Sequence, residues 1–238
     1  MPVKRTYADH GDACATAHAI ELVGDRWNYP VLRELMLAPK RFGELLLSVR
    51  GITPAVLTSR LRQLERAGLL QRIIVPAPAR VPAYELTEWG LALDPIMQAL
   101  GRWGHLSPTR VVEGCGLTPD ATIQSMRTMA SPKSPHPPIE LTLHLFDGRL
   151  PTDPGYDYTI AWTESGLTAG RGTNPLGQAH VYADSSTWAR VLYDGFPLNN
   201  EQVHVEGDHD LVQRLVSQFA SIQSSPSSEH HTNTLATP

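Results

Sequence analysis

The sequence predicts an α+β fold in two parts: a winged helix-turn-helix, mostly α with a β-hairpin wing, followed by a separate α+β domain. Three observations carry this. Residues 1–106 hold successive amphipathic helical patterns that end in a Pro-stiffened hairpin signal and one more helix. Residues 107–138 are rich in Pro, Gly, Ser and Thr and read as a linker, with a short helix near Ile123–Met129. Residues 139–222 mix strand and helix signals, and 223–238 is a Ser/His/Thr-rich tail that reads as disordered.

Bulk properties narrow the function. The 238 residues leave room for two small cores. No stretch approaches the roughly 18 apolar residues of a membrane span, and Met1–Thr6 is not followed by an apolar segment of the secretory kind. Two cysteines, Cys14 and Cys115, are too few for a disulfide framework, so a cytoplasmic setting is expected. The net charge of −4 hides an asymmetry, with residues 1–110 at +4 and 111–238 at −8. Within 40–80 there are eight basic and two acidic residues. A basic segment in an acidic chain points to local contact with a polyanion, or else to a solvated basic face.

The elements follow in order. Ala15–Val23 forms a helix up to the Gly24-Asp25 break, and Trp27–Leu37 a second, with Pro30 in its first turn. Phe42–Val49 is a short third helix, and the turn Arg50-Gly51-Ile52 leads into a fourth over Thr53–Ala67. There Thr53 is the N-cap and Pro54 the first helical residue. At about 100° per residue, Leu57, Leu61 and Leu64 share one side, whereas Ala55, Ser59, Arg62 and Arg66 lie opposite, flanked by Thr58 and Gln63.

That outer face suits a recognition helix. Small residues let the backbone approach base edges, and Ser, Thr and Arg supply hydrogen bonds. A solvated amphipathic helix is the alternative. Leu69–Val75 and Ala83–Leu86 can pair as a hairpin around Pro76–Pro82, placing Arg80 where a wing would reach phosphate or the minor groove. The candidate DNA contacts are Arg41, Thr53, Ala55, Thr58, Ser59, Arg60, Arg62, Arg66 and Arg80. Thr87 caps a last helix to about Leu106, with Leu91, Pro95, Ile96, Ala99, Leu100 and Trp103 on its apolar side and a kink at Pro95. Helices flanking such a core make a dimer seam, which spaces two recognition helices about one DNA turn apart on a pseudo-palindromic site.

The run Cys14-Ala15-Thr16-Ala17-His18-Ala19-Ile20-Glu21-Leu22-Val23-Gly24-Asp25-Arg26-Trp27 resembles the opening of the HxlR-type winged helix regulators. So do Arg41-Phe42-Gly43-Glu44-Leu45, Gly51–Leu61, Leu64-Glu65-Arg66-Ala67-Gly68-Leu69, Tyr84–Gly90 and Trp103-Gly104, in that order. The resemblance covers about residues 14–106 and implies a homodimeric bacterial regulator on double-stranded DNA, with helices from both ends of the domain at the dimer interface. In some members a cysteine matching Cys14 senses oxidants or electrophiles. Asp9 and Asp12 nearby oppose the thiolate such a role needs, and a half-buried silent cysteine is the alternative.

In the second part, strands are expected at Ile139–Phe146, Tyr156–Thr163, Gln178–Ala183 and Val203–Glu206, with helices at Ser186–Tyr193 and Asp208–Phe219. The stretch from Ala183-Asp184-Ser185-Ser186-Thr187-Trp188 through Gly195 and Val203–Asp208 to Phe219 resembles the closing part of sterol carrier protein 2-like domains. That resemblance implies an α+β layer enclosing a pocket for an apolar small-molecule effector, lined by Trp188, Leu192, Phe196, Leu211 and Leu215. Each of these can equally be a plain core residue. No phosphate loop, Gly-x-Ser-x-Gly or HExxH motif occurs, and His144, His180, His204 and His209 lack ligand spacing. Neither an enzyme, a metal nor a cofactor is expected. The rival is a lipid-binding module whose first domain serves mainly to dimerise.

Overall fold

The computed structural model describes residues 6–75, 80–131, 135–150, 152, 154–174 and 177–223. Four helices open it: α1 (Ala15–Val23), α2 (Asn28–Leu35), α3 (Phe42–Ser48) and α4 (Pro54–Arg66). Thr53 caps α4 through its hydroxyl, which accepts from the Val56 N–H at 3.4 Å, and Gly51 makes the preceding turn at φ +81°. Strands β1 (Leu70–Val75) and β2 (Val81–Leu86) pair antiparallel, Leu70 opposite Leu86. Val31, Leu32, Leu45, Leu57, Leu61, Leu64 and Leu69 fill the core between them.

The single kinked helix expected after Thr87 is two helices, α5 (Glu88–Leu91) and α6 (Asp94–His105), with the break just before Pro95. Their start is pinned to the hairpin. Thr87 N–H donates to the Leu69 carbonyl at 3.1 Å, and a Cβ at Gly90 would stand 2.0 Å from that same oxygen.

The segment expected as a linker contains α7 (Pro119–Met129), which starts four residues before the helix read from sequence and is largely buried. Its Thr118-Pro119 start repeats the Thr-Pro cap of α4, the Thr118 hydroxyl accepting from Ala121 N–H at 3.2 Å. The composition misled because Asp120, Thr122 and Gln124 are buried polar residues, and Lys40, Tyr158 and Arg171 around Asp120 and the Ser185 carbonyl bound by Thr122 lie far along the chain.

The second half is a five-stranded sheet with helices on one face. Its strands are β3 (Ile139–Phe146), β4 (Tyr156–Thr163), β5 (Gly166–Arg171), β6 (Ala179–Asp184) and β7 (Val203–Gly207), in spatial order β5-β4-β3-β6-β7. β3 and β6 run parallel; every other pairing is antiparallel. β5 is absent from the sequence reading, because Gly-Leu-Thr-Ala-Gly-Arg carries little strand propensity. Alternate residues Ile139, Leu141, Leu143 and Leu145 point inward and are fully buried under α7, α8 (Ser185–Tyr193) and α9 (His209–Gln223).

The two halves share a buried ion cluster. Lys40 Nζ, on the α2–α3 loop, lies 2.6 Å from Glu34 of α2 and 2.8 Å from Asp120 of α7. Arg171 of β5 grips Asp120 with two donors at 3.0 and 2.7 Å, Tyr158 O–H donates to Asp120 at 2.6 Å, and Thr118 O–H donates to Glu34 at 2.7 Å. Burial pushes the Glu34 carboxyl up, but Lys40 and then Arg33 outweigh it and hold it at about 2. Burial likewise opposes the Lys40 charge, yet Glu34 and Asp120 raise its pKa above the ordinary lysine value.

Candidate nucleic-acid interface

The α4 helix is steered by its leucines. Leu57, Leu61 and Leu64 are at most 1% exposed, which turns Ala55, Ser59, Arg62 and Arg66 out to solvent. Thr53 is exposed at the helix start, although its oxygen is engaged in the cap. Thr58 is half-buried and its O–H donates to the Pro54 carbonyl at 2.8 Å. The helix has one carboxylate, Glu65, and it is drawn sideways to Arg72 at 3.3 Å. The outward face is therefore small at its N-terminal end, cationic at its C-terminal end and free of acid.

One predicted contact sits differently. Arg60 does not join the outer face: it pairs with Asp25 at 3.2 Å and donates to Gln63 at 2.7 Å, bracing α4 against the α1–α2 turn. Arg41 is exposed ahead of α3, its N–H donating to Glu44 at 2.6 Å. Arg80 is exposed at the foot of β2, and the wing tip Pro76–Ala79 lies outside the described residues. Sequence reasoning passed over Arg50, which is exposed on the Gly51 turn three residues before the α4 cap; a cation beside a positive-φ glycine was the available signal.

The apolar side read for the last helix faces outward. Leu91, Ile96, Leu100 and Trp103 are 46%, 54%, 41% and 77% exposed, and Leu106 continues the stripe. The opposite side of α6 packs on α7, with Arg127 donating to Asp94 at 3.1 Å and Gly101 lying against Thr128. Ile20 of α1 is also exposed. Cys14 is exposed rather than half-buried and occupies the α1 N-cap, where the Ala17 and Thr16 backbone N–H groups lower its thiol pKa.

The five residues implied as pocket lining belong to packing. Trp188, Leu192, Leu211 and Leu215 are at most 3% exposed and form one cluster with Trp162 and Phe219, whose rings lie 5.4 Å apart. Phe196 sits at its edge beneath the Arg190 guanidinium, 4.0 Å away. Among the described residues, no three metal-ligating side chains converge. No described helix is long and apolar enough to cross a membrane.

Comparison with known proteins finds similarity over the first half. The profile of the HxlR-like helix-turn-helix family matches residues 22–110. The uncharacterized HTH-type transcriptional regulator sll1512 of Synechocystis is 38% identical over 95 residues, spanning 40% of this chain and 70% of that protein. The HTH-type transcriptional regulator YodB of Bacillus subtilis is 35% identical over 85 residues, 36% of this chain and 76% of its own. The solved reduced form of YodB overlaps 41% of this chain and 97% of its own, at 31% identity and a TM-score of 0.38. Residues 111–238 lie outside the matched family span. The chain belongs to the HxlR-type helix-turn-helix transcription regulators, with a winged, DNA-binding first half joined to an α+β second half.

Proposed function

We propose that this chain is a cytoplasmic, homodimeric, sequence-specific regulator and not an enzyme. In this reading α4 of each copy enters the major groove of a pseudo-palindromic operator. The carrying observation is the acid-free outer face of α4, which combines small residues, a hydroxyl and two arginines. The exposed stripe on α6 supports the dimer, because contiguous apolar surface of this kind marks an interface. The acidic second half is the part available to sense an effector.

Gel shifts on selected operators, run at several salt concentrations, test the reading. Arg62→Ala is expected to cost about 1–3 kcal/mol of specific binding and relax one base position. Arg80→Ala should weaken all sequences alike and lower the salt slope by about one, since a phosphate contact releases counterions. Binding without any sequence preference at physiological salt would instead favour the module that merely dimerises.

A second reading, redox control, is favoured by the exposed Cys14 thiol at the N-terminus of α1. Its thiolate would reduce a peroxide by two electrons, giving the sulfenic acid and hydroxide. Cys14→Ser should then make DNA binding insensitive to peroxide. Release that persists in the variant rules the thiol out.

A further inference from the structure

The α1–α2 turn lies beside α4 and carries an arginine outside the contacts considered so far. Arg60 of α4 pairs with one Asp25 oxygen at 3.2 Å, and the other accepts the Trp27 N–H at 3.0 Å. The acid of the turn is thus engaged at both oxygens. Next to it the exposed Arg26 guanidinium lies over the Trp27 ring, 4.5 Å from its centroid. Stacking uses the flat face of a guanidinium and leaves its in-plane N–H donors available.

The same indole meets the turn that precedes α4. A Cβ at Gly51 would stand 3.7 Å from Trp27 Cη2, and Arg50 is exposed beside that glycine. Trp27 therefore touches both the Arg26 guanidinium and the turn that carries Arg50. Residues 24–27 and 50–66 together hold five arginines against Asp25 and Glu65, a net of +3. Both acids are drawn to arginines, Asp25 to Arg60 and Glu65 to Arg72. Among the described residues Arg26, Arg50, Arg62 and Arg66 form no ion pair, so the unpaired charge of these segments sits on them.

We propose that Arg26 and Arg50 form a phosphate anchor on duplex DNA, each donating to backbone oxygens at the border of the groove that α4 enters. This rests on the regulator reading and adds two contacts to it. A planar fork of N–H donors suits a phosphate, and such contacts fix register without reading sequence. Arg60 then acts as a positioning residue: it ties the turn to α4 and compensates Asp25, so Arg26 keeps a fixed place relative to the recognition face.

The test is a set of fluorescence anisotropy titrations of the full-length protein at several salt concentrations. One duplex is selected by the wild-type protein from a random library, and the other is its scrambled sequence. Arg26→Gln and Arg50→Gln are each expected to weaken both duplexes by a similar factor, lowering the slope of log K against log salt by about one per half-site. The preference for the selected duplex should stay as it was, and so should the thermal melt, because both side chains are exposed. Arg26→Lys should restore most of the slope, since an ammonium still neutralises a phosphate. A wild-type slope in either Gln variant overturns the paired anchor and leaves the regulator reading standing. A lost preference at unchanged slope points to base contacts and overturns it equally. If the wild-type protein binds neither duplex, anchor and regulator reading fall together.

Discussion

Replacing Lys40 by Met is expected to remove about 3–5 kcal/mol of folding stability at neutral pH, as measured by urea denaturation. The side chain is nearly isosteric along its stem, so the loss comes from charge and not from volume. Without the ammonium, the buried Glu34 and Asp120 carboxylates stand 2.6 and 2.8 Å from where their shared cation was. Arg171 still holds Asp120, but Glu34 keeps only Arg33 and the Thr118 hydroxyl.

The same residue sets an acid limit. Glu34 is held at about 2 in the folded protein, below the ordinary value of about 4.3 for an unfolded chain. A depressed carboxyl contributes stability that is fully present above the unfolded value and is lost as pH falls toward the folded one. Wild-type stability should therefore decline between about pH 4.3 and 2 from this group. In Lys40→Met that contribution is largely gone beforehand, so its share of the acid slope should shrink. A neutral-pH loss below about 1 kcal/mol would show that the cluster does not bind the halves together.

On the dimeric reading proposed above, Trp103→Glu is expected to leave the chain monomeric at micromolar concentration and to weaken operator binding about 100-fold. Trp103 is 77% exposed in the single chain, so the substitution should hardly disturb folding. Aromatic anchors at interface centres cost about 2–4 kcal/mol when truncated, and a carboxylate in the same place adds a desolvated charge. Two half-sites then no longer bind as one unit. Sedimentation that still reports a dimer would remove α6 from the interface.

Legibility in the sequence follows from where each residue finds its partner. The α4 helix was readable because its cap, Thr53-Pro54, and its leucine spacing are local signals, and the elements around it carry similar ones. Arg60 was misplaced because it sits on the right helix but its partner, Asp25, belongs to the α1–α2 turn. Helix α7 hid for the same reason. Its Asp120 looks like a linker residue until folding brings up Lys40, Tyr158 and Arg171. The apolar side of α6 was visible, yet periodicity cannot distinguish a face buried within a chain from one left outside. Trp188 and Leu215 pose the converse problem, since lining a pocket and filling a core ask for the same residue types.

The Lys40 cluster also bears on what counts as a unit of this protein. The family relationship stops near residue 110, as though the chain were two modules on a string. Yet Lys40 is held between Glu34 and Asp120, Asp120 is gripped in turn by Arg171, and the wing is stitched to Lys40 through Tyr84. A fragment cut at the family boundary would carry half of a charge-compensated centre exposed at its broken face. The inherited border and the cooperative border therefore fall in different places. Heat should melt the two halves as one unit.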